Sequence, residues 1–262
     1  MKERDDIKTL HKGVVLVDKP SGPTSHDTVQ MVKKKLDVQK AGHVGTLDPK
    51  VTGVMLIMFN EATKAVPFFM GLDKEYEGTM HIHGDISEHE VRSVMKLFLG
   101  KITQTPPVRS AVARKPRERE VYSFDILKIN GRDVFFSTRC QAGTYVRKLV
   151  SDFGEKLGCG AHMTSLRRIS VGDFKISECK KIEKLIENDV IPLEKALKRV
   201  SLQTINIDKD EYQKIKNGAP ITNNTVIKPT NSSVVGLYYD NQIVAIAKIN
   251  GNKITPDRVF NI

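Results

Sequence analysis

The sequence predicts an α+β fold, with a large domain over residues 1–199 followed by a small β-rich module over residues 200–262. Strand-like and helix-like segments mostly occur without the β–α–β alternation that is typical of parallel sheets. The dipeptide Asn130-Gly131, between two apolar segments, is a strong signal for an antiparallel hairpin. A polar stretch begins near Val200, and strand-like segments dominate after it.

Individual elements follow from apolar periodicity and from residues that start or stop helices. Ser25, and Ser87 with Glu90 as a capping box, indicate two helix starts, and Gly100 and Gly158 indicate two helix ends. The predicted strands are residues 14–17, 54–59, 124–129, 134–138, 234–239 and 243–249. The predicted helices begin at residues 25, 88 and 146, with shorter helical stretches at 182–186, 193–197 and 212–215.

Composition limits the class of protein. A chain of 262 residues with 39% hydrophobic residues can bury a substantial core. We find no cleavable signal pattern and no apolar run that approaches the roughly 18 residues of a membrane span. Cys140, Cys159 and Cys179 are odd in number and too widely spaced for a metal knuckle, which favours free thiols. We therefore expect a cytoplasmic protein, monomeric on its own and without a membrane partner.

The charge balance favours a polyanionic partner. There are 42 Lys and Arg residues against 31 Asp and Glu residues, a formal net charge of +11. The densest basic segment is residues 109–119, in which five basic residues accompany one glutamate. Such an excess promotes nucleic-acid binding through phosphate neutralisation and counterion release, although a solvated basic surface is the alternative. The sequence predicts no basic amphipathic helix of the kind that binds membrane surfaces, which argues against a membrane partner.

The most informative local feature is the turn over residues 42–49, which ends in Asp48. Pro49 fixes its own φ and disfavours helical geometry at Asp48. Gly42 and Gly45 allow close backbone approach or positive φ. These residues alone leave two interpretations open: a functional carboxylate, or a structural Asx-type turn.

Other catalytic chemistry has less support. His81 and His83 alternate on one strand face as metal ligands can, but no further ligand completes a convincing zinc set, so we expect no metal. We find no Walker phosphate loop, Rossmann glycine fingerprint or serine elbow.

Several blocks of sequence, in order and spanning roughly residues 13–174, carry a family resemblance. They are Lys19-Pro20-Ser21-Gly22-Pro23-Thr24-Ser25, the turn at 42–49 with Thr52-Gly53-Val54, Lys74-Glu75-Tyr76, residues 104–112, Gly143-Thr144-Tyr145-Val146-Arg147, and residues 158–168. With them the chain resembles the TruB/dyskerin family of RNA pseudouridine synthases. The resemblance implies the pseudouridine synthase fold, a mainly antiparallel mixed sheet with flanking helices, and a PUA-like character for the C-terminal module.

The resemblance also implies site residues. Asp48 takes the place of the catalytic aspartate, Tyr76 that of the tyrosine that stacks on the target base, and Arg147 that of the arginine that pairs with the carboxylate. Tyr145 is expected beside Arg147 in the pocket, and Leu166 on its apolar wall.

Four further residues are expected to contact or position the substrate. His43 belongs to the turn and is expected to help open the RNA, and Lys19 is expected to help shape the site. Arg109 and Arg167, from the basic motif blocks, complete the predicted substrate-binding set.

The chemistry fits these residue types. Pseudouridine formation breaks the C1′–N1 bond of uridine and rejoins the base through C5, without net redox change, so no metal or organic cofactor is required. The base must leave its stack, which calls for a planar and an apolar partner. An ionised Asp48 is either a nucleophile or a base toward the flipped nucleotide, and Arg147 opposes its protonation.

The RNA substrate is left open by the sequence. The short segment between Arg109 and Tyr122 resembles the archaeal and eukaryotic branch, whose members act on rRNA with an H/ACA guide RNA and small partner proteins. The tail over residues 236–260 instead resembles the shorter bacterial-type C-terminus, which keeps direct modification of uridine 55 in the tRNA TΨC arm open. A catalytically silent RNA-binding assembly protein is the alternative from another class.

Overall fold

The computed structural model describes residues 12–106, 113–200, 202–222 and 234–260. In these residues the larger sheet has ten strands, in the order β10-β1-β3-β8-β4-β7-β6-β5, with β2 added to β3 and β9 to β8. They are β1 (Gly13–Lys19), β2 (Ala41–Val44), β3 (Thr52–Phe59), β4 (Lys74–Ile82), β5 (Gly100–Gln104), β6 (Arg117–Asn130), β7 (Asp133–Cys140), β8 (Ala161–Val171), β9 (Phe174–Lys175) and β10 (Ile191–Pro192).

The sheet is mixed and mainly antiparallel, as expected. Its parallel pair joins the first residues of β3 to β8, where Thr52 pairs with Arg167 and Gly53 with Arg168. Gly53 has φ +105°, and a Cβ atom at this position would lie 2.2 Å from the carbonyl oxygen of Arg168. Only glycine therefore allows β3 to approach β8 this closely. This junction lies directly after the loop that carries Asp48.

Six α-helices flank the sheets in the described part of the chain. They are α1 (Ser25–Lys35), α2 (Val66–Met70), α3 (Glu88–Lys96), α4 (Val146–Leu157), α5 (Leu193–Lys198) and α6 (Lys209–Lys216). Short 3₁₀ turns occupy Asn60–Ala65, Ile176–Glu178, Ile182–Lys184 and Glu187–Asp189. No helix among the described residues is long and apolar enough to cross a membrane.

Helix α4 covers one face of the sheet near the Asp48 loop. Met80 of β4, Phe136 of β7, and Leu149 and Phe153 of α4 are fully buried in one apolar cluster. Burial of each such side chain contributes about 1.5–3 kcal/mol relative to exposure. This packing fixes where the first turn of α4, which carries Arg147, meets the sheet.

The C-terminal module is a second, five-stranded sheet within the described residues. Its order is β11-β13-β14-β15-β12, from β11 (Gln203–Asn206), β12 (Ile221–Thr222), β13 (Val234–Tyr239), β14 (Gln242–Asn250) and β15 (Lys253–Val259). Tyr238, Ile246 and Phe260 belong to the same apolar cluster as Leu193 and Leu197 of α5. The predicted β-rich C-terminal domain is therefore confirmed, and it packs on the larger domain. Its boundary at residue 200 stays a prediction.

Local predictions differ from the structure by small shifts. Thr24, not Ser25, caps α1, and its hydroxyl accepts a hydrogen bond from the backbone N–H of Asp27. The two-residue hairpin turn is Gly131-Arg132, because β6 extends through Asn130. Helix α3 begins at the predicted capping box, but it ends at Lys96. Gly158 ends α4 in the left-handed conformation, as predicted.

Candidate active site

Asp48 lies on a loop, residues 45–51, that joins the antiparallel strands β2 and β3; we call this segment the Asp48 loop. The backbone N–H of Val51 donates to the carbonyl of Asp48 at 3.0 Å, which closes a tight turn. Ser25 of α1 fixes the loop through two hydrogen bonds: its hydroxyl accepts one from Leu47 N at 2.8 Å and donates one to Leu47 O at 2.9 Å. Leu47 is buried, whereas the Asp48 side chain is 49% exposed. The loop therefore presents the carboxylate to solvent from a fixed backbone.

Lys19, at the end of β1, lies beneath the loop. Its side chain is fully buried, and its ammonium donates to the carbonyls of Pro20, Pro49 and Val51, each at 3.0 Å. Burial, and then the nearby charge of Arg168, lower the pKa of Lys19, while the Asp48 carboxylate opposes this shift. An ammonium has three donors and all three are used. We infer that Lys19 holds the loop in place, in agreement with its expected role in shaping the site; direct contact of Lys19 with substrate stays a prediction.

We predict that Lys19→Met lowers the free energy of unfolding by about 2–3 kcal/mol, because it leaves three carbonyls near the loop without their donor. Urea denaturation measures this change. Lys101→Met is the control, since Lys101 is 73% exposed and forms only a surface pair with Glu118. It should change stability by less than about 0.5 kcal/mol. Equal stability of the two variants would show that Lys19 does not hold the loop.

Arg147 pairs directly with Asp48. It is the second residue of α4, and its Nη2 atom donates to Oδ2 of Asp48 across 99 residues of sequence. The two side chains are 53% and 49% exposed. A pair this exposed contributes at most about 1 kcal/mol to folding. The pair therefore matters because it places a guanidinium against the carboxylate at the surface, and not because it stabilises the fold.

Gln104 positions the backbone that precedes Arg147. Its side chain is almost completely buried, its Oε1 atom accepts from Tyr145 N at 3.0 Å, and its Nε2 atom donates to Tyr145 O at 3.2 Å. Tyr145 is the N-cap residue of α4 and is partly exposed beside Arg147. This two-point clamp from β5 fixes the entry into α4. Gln104 has no assigned role in the sequence prediction, although it lies within a motif block.

Tyr76 and Leu166 form an apolar floor beside the Asp48 loop. Each is only 9% exposed, and both belong to the cluster that contains Leu47 and Val51 of the loop and Val146 of α4. Burial raises the pKa of the Tyr76 phenol, and the positive charge of Arg168 opposes this shift. The structure therefore brings Asp48, Arg147, Tyr145, Tyr76 and Leu166 together, as the resemblance implies.

The other three predicted substrate-binding residues lie differently. His43 is on β2; burial and then the charge of Arg168 lower its pKa, and its buried Nδ1 atom has no hydrogen-bond partner in the described ranges. Arg167 donates to both carboxylate oxygens of Asp18, at 3.0 Å and 2.8 Å. Arg109 lies outside the described residues. Contact of these three residues with substrate stays a prediction.

Arg168, like Gln104, is a residue of the site to which the sequence prediction assigned no role. Only 1% of it is exposed, and its guanidinium donates to Val54 O at 2.7 Å and to Gly45 O at 3.1 Å. A sequence signal was available: residues 166 and 168 face the same side of a strand, so a pocket-facing Leu166 also turns Arg168 inward.

Histidines cluster away from this site. His83 Nε2 lies 2.8 Å from His162 Nδ1, and His81 Nδ1 lies 2.7 Å from Asp133 Oδ1. His162 lies on β8, which pairs with β4, so it adds a third imidazole to those of His81 and His83. The spacing of histidines along the sequence could not reveal this neighbour. Nevertheless, no group of three His, Cys, Asp or Glu side chains in the described part of the chain has the geometry to hold a metal ion.

Comparisons with known proteins give consistent results. Residues 33–86 and 81–146 match the profile described as TruB family pseudouridylate synthase (N terminal domain). Residues 147–205 match the profile described as tRNA pseudouridylate synthase B C-terminal domain.

Two similar curated proteins are both named probable tRNA pseudouridine synthase B. The protein from Methanopyrus kandleri is 52% identical over 172 residues, 66% of this chain and 51% of its own length. The protein from Pyrococcus abyssi is 43% identical over 235 residues, 84% of this chain and 70% of its own length. The chain thus spans about half the length of the Methanopyrus relative.

Two solved structures match over nearly the whole chain. A chain of a Cbf5-Nop10-Gar1 complex is 34% identical with a TM-score of 0.85, and the match covers 99% of this chain and 88% of that one. A chain of an H/ACA RNP bound to a substrate RNA containing 2′-deoxyuridine is 33% identical with a TM-score of 0.84, over 98% and 87% of the two chains.

Proposed function

The chain belongs to the TruB/dyskerin family of pseudouridine synthases, and we propose that it isomerises uridine to pseudouridine in RNA with Asp48 as the catalytic residue. The observation that carries the proposal is the pair of Asp48 and Arg147 above an apolar floor that contains Tyr76. The carboxylate is half exposed and therefore accessible, and the guanidinium of Arg147 is its cationic partner. The floor offers a ring and an aliphatic wall for a base that has left its stack.

The reaction rearranges bonds within one nucleotide. The C1′–N1 bond breaks, the base turns within the site, a C1′–C5 bond forms, the C5 proton is lost and N1 gains a proton. Asp48 starts the sequence either as a nucleophile or as a base toward the sugar. Tyr76 and Leu166 hold the detached base, and Arg147 stabilises charge on the carboxylate as bonds change.

The substrate is either tRNA at uridine 55 or rRNA directed by an H/ACA guide, in the cytoplasm. The names of the curated relatives support the first, and the solved complexes, which contain Nop10, Gar1 or an H/ACA RNP, support the second. The net charge of +11 suits either RNA. We further propose that the C-terminal module assists RNA binding as a PUA-like domain.

Pseudouridine mapping distinguishes the two substrates. The purified protein is incubated with unmodified tRNA transcript, first alone and then with an H/ACA guide RNA, small partner proteins and an rRNA fragment. Product at position 55 without additions supports direct tRNA modification. Product only in the complete mixture supports the guided reaction. No product in either mixture, from protein that still binds RNA, would contradict catalysis and favour the assembly-protein alternative.

A further inference from the structure

We propose that Arg168 is a positioning residue that holds the Asp48 loop and Tyr76 in one arrangement for the reaction. This inference rests on the proposed function and deepens it, because it names the group that couples the carboxylate's loop to the residue expected to stack on the base. Arg168 reaches neither solvent nor substrate, since it is 1% exposed. It acts through its neighbours.

Three contacts make the coupling. Nη2 of Arg168 donates to the carbonyl of Gly45, the first residue of the Asp48 loop, at 3.1 Å. Nε donates to Val54 O of β3, beyond the other end of the loop, at 2.7 Å. Tyr76 is the direct partner of Arg168 across β4 and β8, and the charge of the guanidinium opposes the rise in pKa that burial gives the Tyr76 phenol. One rigid, planar group therefore spans both sides of the loop and the ring.

Burying the charged guanidinium of Arg168 costs free energy, and fold stability alone does not explain why a charged residue lies here. Its described partners are carbonyls and a phenol rather than a carboxylate, so burial lowers its pKa. Lys19 and Lys74 are buried nearby; burial and then the charge of Arg168 lower the pKa of both, that of Lys74 to about 8. A role in positioning the reacting groups accounts for the guanidinium.

The site requires such positioning. The Asp48 carboxylate comes from a loop and the Tyr76 ring from β4. An error of about 1 Å between reacting groups lowers a rate by about 100-fold. Because Arg168 is the cross-strand neighbour of Tyr76 and bonds the first residue of the Asp48 loop, loss of its guanidinium should shift both groups. RNA affinity, which depends on the phosphate backbone, is unaffected.

Arg168→Lys is the test variant, because it keeps the cation but cannot reach both carbonyl acceptors in the guanidinium geometry. Under steady-state conditions on RNA that the wild-type protein modifies, kcat should fall by about 100-fold, with KM within about 3-fold. Arg199→Lys is the matched control. Arg199 is also an arginine held by several protein groups: it lies 4.1 Å from the centre of the Phe174 ring and donates to Glu178, but it belongs to another part of the fold. It should leave kcat and KM unchanged.

A double-mutant cycle with Tyr76→Phe separates positioning from stability. If Arg168 acts partly through the Tyr76 hydroxyl, adding Arg168→Lys to the Tyr76→Phe variant should lower kcat by less than about 10-fold, compared with about 100-fold in the wild-type protein. Any of three results would overturn the inference: rate losses of the two single variants that multiply in the double variant, an unchanged kcat for Arg168→Lys, or a loss confined to KM.

Two further outcomes complete the test. If Arg168→Lys does not fold, Tyr76→Phe alone decides: a fall in kcat at constant KM supports the tether, and an unchanged kcat overturns it. An inactive wild-type protein would overturn the proposed function itself, and the positioning role with it. An active wild-type protein with an unaffected Arg168→Lys variant would overturn only the positioning role.

Discussion

Asp48→Asn should abolish pseudouridine formation while leaving the fold and the RNA affinity intact. An amide is neither an anionic nucleophile nor a base at neutral pH, so the single-turnover rate should fall by at least about 10⁴-fold. The Asp48 side chain is 49% exposed and nearly the same size as asparagine, so the free energy of unfolding should change by less than about 1 kcal/mol. Filter binding should give a Kd for RNA within about 3-fold of the wild-type value.

Asp85→Asn is the matched control for this substitution. Asp85 forms a surface pair with Arg132 and belongs to neither the Asp48 loop nor its apolar floor. The same isosteric loss of a carboxylate should therefore leave the rate unchanged. A rate for Asp48→Asn within about 10-fold of the wild-type rate would contradict a catalytic role for the carboxylate.

Arg147→Ala should lower kcat by about 10²- to 10³-fold with only a modest loss of RNA affinity. The guanidinium donates directly to Asp48, so its removal leaves the reacting carboxylate without its cationic partner. Arg147→Lys should fall between alanine and the wild type, because an ammonium keeps the charge but not the planar geometry. Steady-state kcat and KM on the same RNA measure both variants.

Arg92→Ala provides the control for Arg147. Arg92 forms a pair with Glu88 on α3 in which the side chains are 53% and 56% exposed, close to the 53% and 49% of the Arg147–Asp48 pair. Removing an equally exposed arginine elsewhere should change neither kcat nor KM by more than about 2-fold. If Arg147→Ala instead raised KM and left kcat intact, Arg147 would be a binding residue and not a partner of the reacting carboxylate.

Much of the fold could be predicted because the relevant signals are local. The hairpin between β6 and β7 (one residue further along than predicted), the capping box at Ser87 and the stop at Gly158 each follow from a few adjacent residues. Errors occurred where a contact far along the chain decided the outcome. Ser25 looks like a helix cap, but its hydroxyl bonds Leu47, 22 residues away, and Thr24 caps the helix instead.

The site could be predicted only in part from its residues. The turn around Asp48 is visible in the sequence, yet the chemistry of that turn alone could not separate a site from an Asx turn. Arg147 lies 99 residues away, and only the family resemblance linked it to Asp48. The buried roles of Lys19 and Arg168 depend on the close approach of β1, β3 and β8, which periodicity alone does not specify. Charged side chains are rarely buried, so composition predicts them at the surface.

The most direct test of the account is tritium release from RNA labelled at C5 of uridine. Formation of the C1′–C5 bond expels the C5 hydrogen, so each isomerisation places one tritium in water. With its RNA substrate, and with guide and partners if these are needed, the wild-type protein should release one tritium for each pseudouridine formed. Asp48→Asn should release none above background. Tritium release by Asp48→Asn at the wild-type rate would contradict the claim that this carboxylate, paired with Arg147 above Tyr76, carries out the reaction.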